Sequence, residues 1–380
     1  MMPGPLDGVV VTELAGLGPA PFCGMVLADL GAAVIRVDRI GGQSLPIGSI
    51  DTDVLNRGKQ SISVDLKDEA GIEVALRTVA RSDALIEGFR PGVAERLGVG
   101  PAECLARNPA LVYGRMTGWG QTGAMASMAG HDIDYIALSG VLHSIGPSEQ
   151  PIPPLNLVGD FGGGGMLLAL GVLAAIIHAR RSGEGQVVDA AMVDGSALLM
   201  ASHHGYLADG WWRDARGGNL LDGAAPFYTT YQTADRGHVA VGALEPQFFA
   251  ELLTGLGLRP DDVGAQHDRD AWPEMRRIFA ERFEERTRDE WAARFEGTDA
   301  CVAPVLSMTE APGHHHNRER GTFVEIDGVI QPRPAPRFSA TPPEIDRSPV
   351  GVGNDTDRVA AAAGFSEEQI VKLRESGAIA

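Results

Sequence analysis

Strand-like and helix-like stretches alternate through the first 116 residues, and this alternation constrains the fold more than any other feature of the chain. Val9, Val10, Val11 and Thr12 form a β-branched run, Pro21 to Leu30 reads as a helix, and Gly31 stops it before a second strand over Ala33 to Asp38. Ser61 to Val64 is a third strand, Glu69 to Ala80 an amphipathic helix, Ala84 to Glu87 a fourth strand and Leu111 to Met116 a fifth. Strands separated by helices pair most cheaply side by side in parallel, with the helices covering both faces. The predicted class is therefore α/β, with a Rossmann-like large domain.

At 380 residues the chain exceeds one ordinary domain, so a smaller companion is expected. Residues 1–201 give the N-terminal part of the large domain. In residues 202–226 glycines interrupt any period, which reads as a connector. Residues 227–312 read as a small α+β domain: a hairpin over Phe227 to Gly242, then helices over Glu245 to Leu256 and Trp272 to Phe295. Thr287 with Glu290 has capping-box spacing. Residues 313–380, with the proline-rich QPRPAPRF and SATPPE, read as a returning segment that completes the large domain and ends in a helix opened by Ser366 and Gln369.

Lys+Arg 32 against Asp+Glu 50 gives a net charge of −18, a field that repels polyanions and argues against nucleic-acid or acidic-lipid binding. Cys23, Cys104 and Cys301 form no CxxC pair, which argues against a disulfide framework or a cysteine zinc site. His314, His315 and His316 are consecutive and cannot share one face, so no metal site is expected. The opening MMPGPLDG has neither a basic n-region nor an apolar h-region, the ending GAIA carries no retention address, and the apolar run Met166 to Ile177 is short for a bilayer. The expectation is a cytoplasmic protein with no membrane span.

The loop Glu13 to Pro21, followed by Asp38 at the end of the next strand, imitates a dinucleotide fingerprint. Pro19 and Pro21 remove two N–H donors from the turn that would cradle a pyrophosphate, so a nicotinamide or flavin site is disfavoured. Gly162 to Gly165 lack the Lys-Ser/Thr ending of a phosphate loop, and their bare backbone is expected to admit a ligand. Two of the three lysines, Lys59 and Lys67, fall near Arg36, Arg39, Arg57, Arg90 and Arg96, which suggests a cationic pocket for a phosphorylated ligand.

The segments LADLGAAVIRVDR, NRGKQSISVDLK, LIEGFRPGVAERLG, GRMTGWGQTG, AGHDIDYIALSG, PPLNLVGDFGGGG, GEGQVVDAAMVDG, GALEPQFF and PAPRFS, in this order, resemble the family III CoA-transferases and, within them, the α-methylacyl-CoA racemases. The resemblance implies an interlocked homodimer acting on an acyl-CoA substrate. It also implies 1,1-proton transfer through an enolate, with no cofactor beyond the CoA of the substrate. His131 matches the catalytic histidine, Asp160 the partner carboxylate, and Glu245 the glutamate that orients the histidine. Along the CoA moiety the resemblance places Arg39, Val64, Asp65, Leu66, Lys67, Gly88, Arg96, Gly130, Asp132 and Tyr135.

The chemistry fits those residue types. A two-base racemase needs an acid/base group on each face of the α-carbon, and an imidazole accepts and donates near neutrality. A carboxyl does so only with its pKa raised, which apolar neighbours such as Val158 and Phe161 would supply to Asp160. The enolate oxygen needs donors, which a helix beginning near His131 and Asp132 would offer. The alternative within the family is a CoA-transferase in which Asp160 is the nucleophile; the histidine favours racemisation, for which a transferase has no use.

Overall fold

Six parallel strands in the order β3-β2-β1-β4-β5-β6 build the sheet of the first unit. They are β1 (Val10–Leu14), β2 (Ala33–Arg39), β3 (Lys59–Val64), β4 (Ala84–Glu87), β5 (Val112–Thr117) and β6 (Gln186–Ala191). A computed structural model describes residues 4–42, 49, 52–345 and 347–380. Between the strands run α1 (Pro19–Asp29), α2 (Glu69–Val79), α3 (Val93–Arg96), α4 (Pro101–Arg107) and α5 (Asp132–Leu138), then a π-helix (Leu157–Met166) that continues into α6 (Leu167–Ser182); α7 (Met192–Leu199) follows β6. The chain reverses direction across the sheet between β1 and β4, which pair through Val11 with Ala84 and Glu13 with Ile86.

Both faces of this sheet are covered, which is why its strands read as apolar runs rather than alternations. On one side Ala20, Cys23 and Leu27 of α1 pack with Leu168, Val172 and Ile176 of α6. On the other, Val74, Ala75 and Val79 of α2 join Val359 and Leu373 of the C-terminal segment. β6 is the exception: an edge strand whose first four residues are largely outside the core, so its pattern carries little signal.

The second unit comprises residues 140–154 and 200–318. It contains α8 (Ala201–Ala208), β7 (Tyr228–Gln232), β8 (His238–Gly242), α9 (Pro246–Leu256), α10 (Trp272–Phe283), α11 (Arg288–Phe295) and β9 (Val302–Pro304), and α12 (His315–Arg320) follows. The strands form an antiparallel sheet in the order β7-β8-β9. Phe227, Phe249, Phe279, Phe283 and Trp291 fill the core between sheet and helices. Thr287 caps α11 as its spacing predicts, its Oγ1 accepting from Glu290 N at 3.3 Å. The start of the 202–226 stretch is helical rather than irregular, because α8 buries none of its residues and so has no apolar face to betray it.

After α12 the chain adds β10 (Phe323–Ile326), β11 (Val329–Pro332), α13 (Thr356–Ala362) and α14 (Glu367–Glu375), and residues 319–380 belong to the first unit. Asp355 accepts from the amide of Ser61 at 3.0 Å, and Ala380 N donates to Ser63 O at 3.1 Å, which fastens this segment along β3.

Three of the seven cations of the expected pocket are held in internal ion pairs. Lys59 is fully buried and donates to both oxygens of Glu13, at 2.9 and 2.7 Å, and to the carbonyl of Pro21 at 2.9 Å. Arg57 grips Asp29 with two bonds, at 2.9 and 2.6 Å, and Arg36 pairs with Asp38 at 2.7 Å. Buried charges need such partners, so Lys59 and Arg57 are not available to a ligand, whereas Arg36 also lines the cleft with its Nη1 unpartnered. A second correction concerns length. The π-helix extends α6 backwards, so Leu157–Ser182 runs 26 residues and contains an 18-residue window of mean hydropathy 1.8, enough by length and composition to cross a membrane, with 44% of that window buried inside the protein. Its inner face packs on the sheet through Leu168, Val172, Ile176 and Ala179.

Removing one partner of the Glu13–Lys59 pair strands the other charge in the core. Lys59→Met is expected to destabilise the first unit by about 3–5 kcal/mol, read as a lowered denaturation midpoint, and Glu13→Leu added to Lys59→Met to recover most of that loss. An unchanged midpoint in the single variant contradicts this assignment.

Candidate active site

At the carboxyl ends of β1, β4 and β5, where the strand order reverses, the first unit opens a cleft of about 1020 Å³. Such a switch point is where open α/β sheets hold ligands, because loops diverge there to either side. The walls come from residues 15–19 after β1, 88–91 after β4 and 116–119 after β5, with His131, Tyr135, Asn156 and Asp160 beside them. Gly18, with φ at 63°, turns the chain into α1, and Pro19 takes the first helical position, where its missing N–H removes nothing.

His131 is the N-cap residue of α5, in extended conformation, and its backbone N–H donates to the Asp134 carboxylate at 2.9 Å. Asp160 sits in the first turn of the π-helix, half-buried. Burial holds the Asp160 carboxyl above the usual carboxylate range; the Asn156 amide and the charge of His131 oppose this, while Asp132 adds to it. The expected desolvation is thus present. The two sequence-predicted acid/base groups line one cleft and feel each other's charge.

Asn156 is the residue that sequence reasoning missed. Its Nδ2 donates to Asp160 Oδ2 at 3.1 Å. The signal was its place four residues before Asp160, which is legible only once the segment is known to be helical. Trp119 was also missed; it lines the cleft and meets Tyr135 edge-on at 4.7 Å between ring centroids. Tyr135 donates its hydroxyl to the Gly130 carbonyl, and burial pushes its pKa up to about 12.

Of the residues placed along CoA, Gly88, Gly130 and Tyr135 line this cleft, and Asp132 is buried at the start of α5. Arg39 at the end of β2, Arg96 at the end of α3 and Lys67 are exposed cations. Leu66 is half-buried against the core of the first unit. Val64 is buried and bridges Ile379, and the Asp65 amide donates to Ala378 O at 2.9 Å, so the chain's own C-terminal residues occupy the backbone there. Arg90, exposed, lines the cleft as well. Glu245 belongs to the second unit, where it is the exposed N-cap residue of α9. Below Gly88, the buried Glu87 accepts from Phe89 N at 2.6 Å and from Arg115 at 3.1 Å, which fixes the turn out of β4. Burial pushes Glu87 up to about 7 against those two contacts.

Three of the four glycines in the run, Gly163 to Gly165, are buried and do not expose their backbone to a ligand as the sequence suggested, while Gly162 is half-buried. A Cβ on Gly163 would stand 2.6 Å from Ser196 N, one on Gly164 2.9 Å from the Met192 side chain, and one on Gly165 2.6 Å from the Pro19 carbonyl. The glycines let the π-helix press against α1 and α7. Gly163→Ala is therefore expected to lower the melting temperature of the ligand-free protein by several degrees, since Ser196 N is backbone and cannot swing aside; glycines reserved for a ligand would leave that temperature unchanged.

Comparison with known proteins agrees with this geometry. CoA-transferase family III matches residues 6–356. Alpha-methylacyl-CoA racemase of Mus musculus is 51% identical over 97% of this chain and 96% of its own length; that of Homo sapiens is 48% identical with the same coverage. A CAIB/BAIF family protein from Brucella suis, known by crystal structure, superposes with a TM-score of 0.82 at 27% identity, covering 95% of this chain and 100% of that one. The match over residues 6–356, with relatives about half identical over nearly the whole chain, makes this protein a member of CoA-transferase family III.

Proposed function

We propose that this protein is an α-methylacyl-CoA racemase, an isomerase that interconverts the (R) and (S) forms of 2-methylacyl-CoA thioesters. The observation that carries the reading is one cleft lined by an imidazole and a carboxyl of raised pKa, in a chain about half identical to racemases over nearly its full length. His131 removes or returns the α-proton on one face and Asp160 acts on the other. Asn156 holds the Asp160 carboxyl. The planar enolate between the two half-reactions takes its oxyanion donors from the start of α5. The reaction needs no cofactor beyond the CoA of the substrate, for which Arg39, Lys67, Arg90 and Arg96, all exposed, are candidate cationic contacts.

We also propose a homodimer. Leu170 and Ile177 of α6 are 65% and 61% exposed, and Leu198 and Leu199 of α7 are 61% and 53% exposed. An apolar stripe of that kind calls for a cover, and a second copy of the chain supplies it. Cys23 and Cys104, free and buried, suit a reducing compartment, for which we propose the cytoplasm. Within acyl-CoA chemistry we propose a role in lipid and fatty-acid metabolism.

The reaction predicts the pH behaviour. The working enzyme carries one proton on the His131–Asp160 pair, so kcat/KM is bell-shaped, and because the two C2 epimers differ only at a carbon far from the chiral centres of CoA their stabilities are nearly equal and the bell is nearly the same in both directions. One enantiomer of a 2-methylacyl-CoA incubated in D₂O is expected to take up deuterium at the α-carbon while losing optical purity. His131→Ala and Asp160→Ala each reduce racemisation by at least about 10³-fold. Optical purity that persists in D₂O, with CoA passing instead to an added carboxylic acid through a hydroxylamine-sensitive Asp160 adduct, marks the transferase and rejects the racemase. In sedimentation the particle is expected at twice 40.1 kDa; a monomer at micromolar concentration contradicts the dimer.

A further inference from the structure

We infer that the side chain of Asp132 is a positioning group that locks His131 and Asp160 into one frame and supplies the negative charge felt by Asp160, an assignment that rests on the two-base reading above. Asp132 follows His131 directly and is 7% exposed. Its Oδ2 accepts the backbone N–H of Asp160 at 2.7 Å. One carboxylate therefore ties the residue beside the histidine to the amide of the partner acid. Gly159 leaves the space for it, since a Cβ there would stand 2.5 Å from Asp132 Oδ2.

The second oxygen distinguishes this carboxylate from others in the protein. Glu13, Asp29, Asp38, Glu87 and Asp355 are also buried, and each has a lysine or arginine partner: Lys59, Arg57, Arg36, Arg115, and the pair Arg347 and Arg358. Among the described residues Asp132 is the buried carboxylate with no cationic partner, and its Oδ1 has no hydrogen-bond partner at all. An uncompensated buried charge destabilises a fold, so its retention calls for a use. The use follows from where the charge lies: an anion bonded to the Asp160 backbone disfavours a second anion on the Asp160 side chain. The groups facing Asp160 are Asp132, which raises its pKa, His131 and Asn156, which lower it, and Tyr135, which feels its charge. Burial is the larger cause that raises the Asp160 pKa; Asp132 adds to it against Asn156 and His131, and so helps keep Asp160 able to hold the proton it must return.

The test is a ¹³C NMR titration of the Asp160 carboxyl in the ligand-free protein, its signal assigned by loss in Asp160→Asn, run beside the pH profile of kcat/KM. Asp132→Asn keeps an acceptor for the Asp160 amide and removes the charge. It is expected to move the Asp160 midpoint to lower pH by about half a unit or more, to carry the acid limb of the profile with it, and to reduce kcat by about tenfold or less. Asp132→Ala leaves the amide without an acceptor and is expected to lose about a hundredfold or more in kcat. An unmoved or raised Asp160 midpoint in folded Asp132→Asn overturns the inference, since a merely structural role moves stability and not the titration. A midpoint that falls while the parent protein exchanges no deuterium upholds Asp132 and rejects the racemase reading; racemisation in the parent with an unmoved midpoint does the reverse.

Discussion

The close approach of a π-helical glycine run to two flanking helices is the contact on which the rest of the site depends. Gly163 and Gly195 meet backbone to backbone: a Cβ on Gly195 would lie 1.8 Å from the Gly163 carbonyl. Because these residues have no side chains, the segment Leu157–Met166 lies deep enough for Asp160 to reach the cleft, against Gly18 on the loop after β1. The wider turn of a π-helix re-aims the side chains within it, which is why such segments concentrate at functional sites. Aromatic packing supports the arrangement, with Phe161 against Phe22 of α1 at 4.7 Å.

Around that contact the first unit spends several of its cations on structure. Lys59, Arg57, Arg36 and Arg115 each close a buried ion pair at or near the sheet. Those pairs fix the loops at the carboxyl ends of β1, β2 and β4, from which the cleft is lined. Arg39, Lys67, Arg90 and Arg96 stay exposed, and of these Arg90 lines the cleft. A protein of net charge −18 can thus carry a cationic rim without becoming a general polyanion binder.

The sheet was legible in the sequence because its strands are buried on both sides, so Val9 to Thr12, Ala84 to Glu87 and Leu111 to Met116 stand out as apolar runs close to their final bounds. Capping boxes at Thr287 and Ser366 were legible for the same local reason. β6 was not, since it is an edge strand with exposed valines, and α8 was not, since it buries nothing. His131, Asp160 and Glu245 were singled out by resemblance; no spacing rule would have paired two residues 29 positions apart along the chain. Asn156 and the side-chain role of Asp132 needed three dimensions, because each acts through a hydrogen bond to Asp160 that only the π-helix creates. The cationic cluster misled because composition cannot tell a lysine aimed at solvent from one aimed at Glu13.

The central claim is geometric: an imidazole and a carboxyl face one carbon from opposite sides. Its most direct measurement is a crystal structure of the protein with an acyl-CoA analogue whose α-carbon is held planar, as in the enolate. The account predicts a His131 ring nitrogen and an Asp160 carboxyl oxygen on opposite faces of that carbon, each at about 3–3.5 Å. Both groups on the same face, or one of them too distant to touch the carbon, would contradict it.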